Sequence, residues 1–502
     1  MEATNVERRG NYLIYIVFAA ALALRFYRLG DQSFWADEAI TIGMYRSPPA
    51  GISYFRKFLW DVHGPLYSML MHFWSMASSS EFWLRTPGAV MGSLSVPMLY
   101  LWLRRIAKER TALIGALFLA LSPFSLYYSQ ELRFYSMLSL FAVIALIAYH
   151  GFDRRPTWKN AILLGAVLGL TCLSHFSALL LCSGLFVHSL VSGRPFGDRL
   201  RKTLLAAAVL LVIISPWIYR EIVFLSTVNI ENISGMPAGD RLRGDLTLSP
   251  WAYPYIFYAF SVGYSLGPSL RELHFVGSGL ELLGEYAAEL IAVVLVFGGA
   301  LISSLFRIDW RRFGAVLLSI TAVAIAGLTL VALFNIKVFN VRYLMSIFPL
   351  FIACLAIGVP ERRIPALAVT AAVCAVMLVS DYNYHHDDRY ARDDIRSAAS
   401  LIEEMEEPGD AIVLQGVVET FDFYYDGVNR DSIVYPGPGG DVIPERLDAM
   451  TETARRVWDV RARGFRNRID DHAYQQLSRR MDRAGRWDFP GVTLYLFERE
   501  VE

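Results

Sequence analysis

Eleven apolar stretches, each close to the length that crosses a lipid bilayer, constrain this chain more than anything else in it. A membrane-spanning helix needs about 17–25 mostly apolar residues, because a backbone in hydrocarbon must satisfy its own hydrogen bonds. The stretches are Asn11–Tyr27, Gly88–Leu103, Thr111–Tyr127, Phe134–His150, Lys159–Leu173, Phe176–Val191, Thr203–Tyr219, Tyr286–Phe306, Phe313–Phe334, Tyr343–Gly358 and Ile364–Ser380. Composition agrees: 55% of the 502 residues are hydrophobic and 14% aromatic, with a mean hydropathy of +0.37. Lys+Arg and Asp+Glu number 47 each, so net charge calls for no nucleic acid or acidic partner. Cys172, Cys182, Cys354 and Cys374 all fall inside apolar runs, with neither metal-ligand spacing nor a disulfide framework. Arg25 and Phe26 follow the apolar run Tyr12–Leu24 where a cleavage site would need small residues, so a retained anchor is expected.

The connections carry the orientation. From a cytoplasmic N-terminus, successive inside connections hold Arg104, Arg105, Lys108 and Arg110, then Arg154 and Arg155, then Arg194, Arg199, Arg201 and Lys202. Arg307, Arg311 and Arg312 follow, and last Arg362 and Arg363. Short cytoplasmic loops are enriched in Lys and Arg, and here the alternation never breaks. Leu66–Ala77 is apolar but only twelve residues long, and if it spanned, every later basic loop would change sides. It reads as a helix lying in the outer interface. Three regions then face outward: about 30–87, about 221–285 and everything after about 383. The second holds the aromatic run Trp251–Tyr258, which suits an interfacial belt or a re-entrant helix.

The expected fold class is a polytopic α-helical membrane protein of about eleven transmembrane helices, spanning 1–382, with a C-terminal extracytoplasmic α/β domain over 383–502. Within that domain, Ala398–Glu406 reads as an amphipathic helix stopped by Pro408-Gly409. Ala411–Gln415, Ser432–Tyr435 and Val492–Phe497 read as strands, and Pro436–Gly440 as a plain turn.

Against this frame, five sites could carry chemistry. Asp37 and Glu38 follow Phe34-Trp35-Ala36 about ten residues beyond the first span. Carboxylates on a solvated loop are ordinary, but beside Trp35 at headgroup depth one can act as a base while its neighbour, pointing elsewhere on an extended loop, holds the loop. His63, in His63-Gly64-Pro65-Leu66-Tyr67, shares that outer loop and could equally be a surface residue. Tyr128, Glu131, Arg133 and Tyr135 crowd one outer turn, where Glu131 and Arg133 could pair with each other or serve a site. Lys337, Arg342 and Tyr343 lie on an outside connection, where cations have no topogenic reason to be, and a phosphate would supply one. His175 sits at another outer turn and is more often structural there.

In order and on a common side, Trp35-Ala36-Asp37-Glu38, His63-Gly64-Pro65-Leu66-Tyr67, Tyr128-Ser129-Gln130-Glu131-Leu132-Arg133 and Arg342-Tyr343-Leu344 with Pro349 resemble bacterial GT-C membrane glycosyltransferases. The type is the dolichyl-phosphate-mannose–protein mannosyltransferases, glycosyltransferase family 39, with aminoarabinose transferases as cousins. The usual motif has two prolines where this chain has Gly64-Pro65, and Leu132 stands where a small residue is commoner.

The resemblance implies a bacterial cytoplasmic (inner) membrane enzyme that takes a sugar from a polyprenyl-phosphate donor, embedded among membrane lipids, and passes it to an acceptor glycan, lipid or protein. It implies inversion in one displacement, with Asp37 as general base, Glu38 beside it, and Arg342, Lys337 or Arg133 neutralising the leaving phosphate. Glu131 would orient Arg133 or the acceptor. Relatives can hold a divalent metal, but no ligand spacing here demands one. A transporter or flippase for a lipid-linked sugar is the rival reading; it would show paired halves and charges near midplane, whereas these charges gather at one face.

Overall fold

A computed structural model describes residues 2–45, 64–191, 196–227, 250–275, 282, 284–333, 339–415, 418–435, 444–462 and 471–499. Each of the eleven predicted stretches contains a helix. Among the described residues, five helices are long and apolar enough to cross a membrane: Tyr135–Arg154, Gly197–Val223, Ala287–Leu305, Ala315–Leu333 and Arg363–His386. A sixth span results if the bent pair Glu109–Ala120 and Pro123–Ser129 counts as one. Tyr12–Phe26, Trp158–Ser174, Ala178–Val191 and Phe348–Gly358 are apolar but shorter. Phe306 and Ile364 stand exposed at the ends of these helices, a surface that hydrocarbon accepts and water does not.

Two predicted spans depart from straight helices for local reasons. The Thr111–Tyr127 stretch bends by 53°, because Pro123 cannot continue a helix and Ser122 caps a new one by accepting from the Ser125 N–H. Arg25 fills the break, donating to the carbonyls of Leu119 and Ala120 at 3.1 Å each. The Tyr343–Gly358 stretch becomes helical only at Phe348, with Pro349 in its first turn. Before it, Val341–Leu344 forms a 3-10 turn capped by the Asn340 side chain. Arg342 and Tyr343 therefore sit on a turn at the helix end.

Pro65–Ser75 is a separate short helix, as the Leu66–Ala77 pattern predicts. The residue before it, Gly64, has φ 119°, and a Cβ there would lie 2.5 Å from the Leu173 carbonyl oxygen. Proline is locked near φ −65°, so the glycine in place of a first proline is a conformational requirement of this chain.

The C-terminal region forms a five-stranded sheet, order β2-β1-β3-β5-β4, from β1 (Ala411–Gln415), β2 (Ile433–Val434), β3 (Arg456–Ala462), β4 (Asp482–Phe489) and β5 (Val492–Glu498). β2, β1 and β3 run parallel, while β5 and β4 are antiparallel. The Ile395–Met405 helix covers one face with Trp458 in its core, and Leu447, Leu477 and Phe497 pack the other. β3 and β4 escape a sequence reading because Asp459 interrupts the apolar pattern of one and the other is a polar edge. The Pro436–Gly440 turn lies outside the described residues.

Gly64→Ala should lower stability by about 1–3 kcal/mol, the typical cost of forcing a side chain into such a backbone region. A melting midpoint in detergent equal to that of the unaltered protein would contradict the φ assignment.

Candidate active site

The first site residues are set by a helix start. Ala36–Tyr45 is helical, so Asp37 and Glu38 lie in a first turn and not on the extended loop the sequence suggests. Ile40, Thr41, Ile42 and Gly43 are weak helix formers, but the turn closes on itself. The Trp35 carbonyl accepts from the Glu38 N–H at 2.9 Å, and the Glu38 carboxylate accepts from the Trp35 N–H at 3.3 Å. That second bond is the return half of a capping box. Neighbouring helix residues diverge by about 100°, so the two carboxylates face different surroundings.

Glu38 points inward and is fully buried. Arg85 grips it in a fork, Nε to Oε1 at 2.9 Å and Nη2 to Oε2 at 2.8 Å. Arg392 donates to Oε2 at 2.7 Å, and the Leu132 N–H to Oε1 at 2.7 Å. Burial alone would raise this carboxyl, but Arg392, Arg85 and the Leu132 N–H overcome it and hold it at about 2. The remaining Arg85 donors go to the carbonyls of Leu29, Gln32 and Ser33.

Asp37 points the other way and keeps 29% of its side chain exposed. Its Oδ2 lies 3.2 Å from Nη1 of Arg342 and 3.8 Å from Nη2 of Arg133. Arg133 also donates to the Asp37 carbonyl at 3.2 Å and to the Thr41 hydroxyl at 3.0 Å. The guanidinium of Arg342 sits 5.9 Å from the Tyr135 ring and 5.7 Å from the Tyr343 ring. A partly open carboxylate beside two cations can take up a proton while those cations hold an anion.

Glu131 behaves differently from the sequence expectation. It is buried, yet neither carboxyl oxygen has a hydrogen-bond partner, so it neither pairs with nor orients Arg133. Burial raises its carboxyl to about 7, with Glu38 adding and Arg392, Arg133 and Arg342 opposing. Tyr128 turns away, its hydroxyl 2.7 Å from that of Tyr264. His175 is buried, stacked on Phe134 at 4.3 Å and Tyr343 at 5.8 Å, with Nδ1 2.7 Å from the Ser177 hydroxyl. It packs against Tyr343. His63 and Lys337 lie outside the described residues. Among the described residues no group of three or more His, Cys, Asp or Glu could hold a metal ion.

The sequence reading missed Arg85 and Arg392. Both lie in the stretches it assigned to the outer face, where the argument applied to Lys337 and Arg342 would have found them.

Replacing Glu38 by Gln strands two guanidiniums and should cost about 3–5 kcal/mol at neutral pH. Because the folded value lies below the ordinary 4.5, this stabilisation is present above about pH 4.5 and is lost as pH falls towards 2. Melting curves of Glu38→Gln and the unaltered protein should therefore converge in acid. Glu131 is raised, so ionising it opposes folding as pH rises from 4.5 through about 7. Glu131→Gln should gain on the parent protein across that window, and parallel curves would refute the assignment.

The geometry has relatives. Residues 62–219 match the family described as dolichyl-phosphate-mannose-protein mannosyltransferase. No curated protein matches the chain. Among solved structures, the archaeal oligosaccharyltransferase AglB from Archaeoglobus fulgidus, in complex with an inhibitory peptide and a dolichol-phosphate, aligns with TM-score 0.52 at 13% identity. The alignment covers 90% of this chain and 69% of that one. ArnT from Cupriavidus metallidurans bound to undecaprenyl phosphate aligns with TM-score 0.45 at 16% identity, over 96% of this chain and 97% of that one. The family match over residues 62–219 favours a transferase over a transporter, and the chain shares its fold with the oligosaccharyltransferase.

Proposed function

We propose that this chain moves a sugar from a polyprenyl-phosphate donor to an acceptor glycan, lipid or protein at the extracytoplasmic face of the bacterial cytoplasmic membrane. The observation that carries the reading is Asp37, partly exposed and facing Arg342 at 3.2 Å and Arg133 at 3.8 Å, in a chain whose 62–219 segment matches the mannosyltransferase family. The two structural relatives hold a dolichol-phosphate and undecaprenyl phosphate, and that ligand chemistry is carried over here as part of the proposal.

The reaction is one displacement. Asp37 takes the proton from the acceptor hydroxyl as the acceptor oxygen bonds to the anomeric carbon. The bond from that carbon to the phosphate oxygen breaks, and its electron pair leaves with the polyprenyl phosphate. Arg342 and Arg133 stabilise the charge that grows on the leaving oxygen more than they stabilise the bound donor, which is what lowers a barrier. The anomeric centre inverts, and no sugar is attached to the protein at any stage. Charge on the buried Glu38 is already spent on Arg85 and Arg392, so it supports the base instead of replacing it.

Asp37→Asn should insert and fold normally yet cut transfer by about 10²–10⁴-fold, the usual worth of a general base. Native membranes given polyprenyl phosphate carrying tritiated mannose, and followed for label leaving the lipid, provide the assay. Transfer at an undiminished rate would remove Asp37 from the role of base.

A further inference from the structure

The connection from the last long helix into the C-terminal sheet runs along the underside of the site. Arg392 donates Nη1 to Glu38 Oε2 at 2.7 Å, with both side chains buried. The same guanidinium lies 5.3 Å from the Tyr127 ring. The residues after it hold Arg271 and fasten the chain segment that precedes Asp37. Asp393 accepts from Arg271 at 2.8 Å, and Asp394 accepts from the Ser33 hydroxyl at 2.7 Å. Arg396 donates to the Gly30 carbonyl at 3.2 Å and also reaches the Asp31 carbonyl and Glu81. Further along, the Tyr424 hydroxyl accepts from the Phe34 N–H at 2.7 Å, and the Phe34 ring packs on Phe423 at 5.2 Å.

We propose that Arg392 is a positioning residue for sugar transfer: it sets Glu38, and through Glu38 the helix start bearing Asp37 and the turn bearing Arg133. Glu38 is where these parts meet. Arg85 ties it to the Glu81–Leu103 helix, the Leu132 N–H ties it to the turn before Tyr135, and the Trp35 N–H ties it to its own helix start. Arg392 is the tie from the C-terminal side. Without it, two guanidinium contacts remain, both from Arg85, and the Oε2 oxygen loses its shorter one. The carboxylate can then swing towards Arg85 and draw the Ala36–Tyr45 helix start with it. Asp37, one residue away, moves relative to Arg342, which stands on the separate Val341–Leu344 turn. The C-terminal unit is on this account part of the catalytic support.

The kinetic arm of the test rests on the sugar-transfer reading above. Arg392→Met should lower kcat by about 10²-fold, the typical cost of a reacting group displaced by about 1 Å. KM for the tritiated mannosyl donor should stay within about threefold, because the cations facing Asp37 are untouched. Arg392→Lys, which restores a cation to Glu38, should recover kcat to within about tenfold of the unaltered enzyme. A kcat for Arg392→Met within about threefold of the parent, or a loss expressed wholly in KM, would overturn the proposal.

A second arm needs no activity. Melting of Glu38→Gln, Arg392→Met and the double variant forms a cycle, and coupled residues are non-additive. The double variant should be no less stable than Glu38→Gln alone. Additive losses would overturn the proposal. Absence of transfer by the unaltered protein would instead count against the functional reading and leave this arm to decide.

Discussion

A carboxylate cut off from solvent persists only if charge and hydrogen bonds are brought to it, and Glu38 receives both from four separate pieces of chain. Removing an ion from water costs several kcal/mol before any partner is counted. That cost is what forces the Glu81–Leu103 helix, the turn around Leu132 and the segment at Arg392 into one place. The helix start at Ala36 is fixed as a by-product, since Glu38 also closes its capping box. Asp37 then has no freedom of its own. Its direction follows from helical geometry, and it comes to face Arg342 and Arg133.

The arginines around the bundle end separate by how their donors are used. Arg25 is fully buried and commits every N–H: to Ser129, to the carbonyls of Ala21, Ala120 and Leu119, and to Ser125. It serves a broken helix, whose last carbonyls would otherwise be orphaned. Arg133 and Arg342 each keep a buried Nε without a partner, and Arg392 keeps Nε and Nη2. An unpaired buried donor costs about 1–3 kcal/mol. The two that face Asp37, Arg133 and Arg342, are costly for folding alone and are suited to an anionic ligand, in keeping with the proposed phosphate.

Much of this was legible beforehand, and the gaps have physical causes. The apolar stretches and the sides assigned by basic loops brought Asp37, Arg133 and Arg342 onto one end, and the structure places them within hydrogen-bonding or ion-pair reach. Arg85 was hidden because a lone cation near a helix start looks like an interfacial residue. Arg392 was hidden because it stands over 350 positions from the carboxylate it meets, and no local pattern encodes so distant a pair. The Ala36–Tyr45 helix was hidden because its β-branched residues argue against helix, and the capping bond that rescues it needs the fold. Glu131 illustrates the converse. Its neighbour Arg133 invites an ion pair by sequence, yet that guanidinium is claimed by Asp37 and Thr41.

Glu38 and Glu131 show how finely the site divides one supply of positive charge. Arg392 is the strongest charge acting on both carboxyls, yet one is held at about 2 and the other lifted to about 7. Arg392 alone therefore does not decide the outcome. Glu38 accepts from Arg85, Arg392, Leu132 and Trp35, whereas Glu131 accepts from nothing. Hydrogen bonds to the ionised form favour it, and burial without them favours the neutral acid. The two groups compete for a guanidinium that arrives with the C-terminal unit. Arg392 donates to Glu38 and not to Glu131, so the segment that carries it into the site favours one ionised carboxylate and leaves the other neutral.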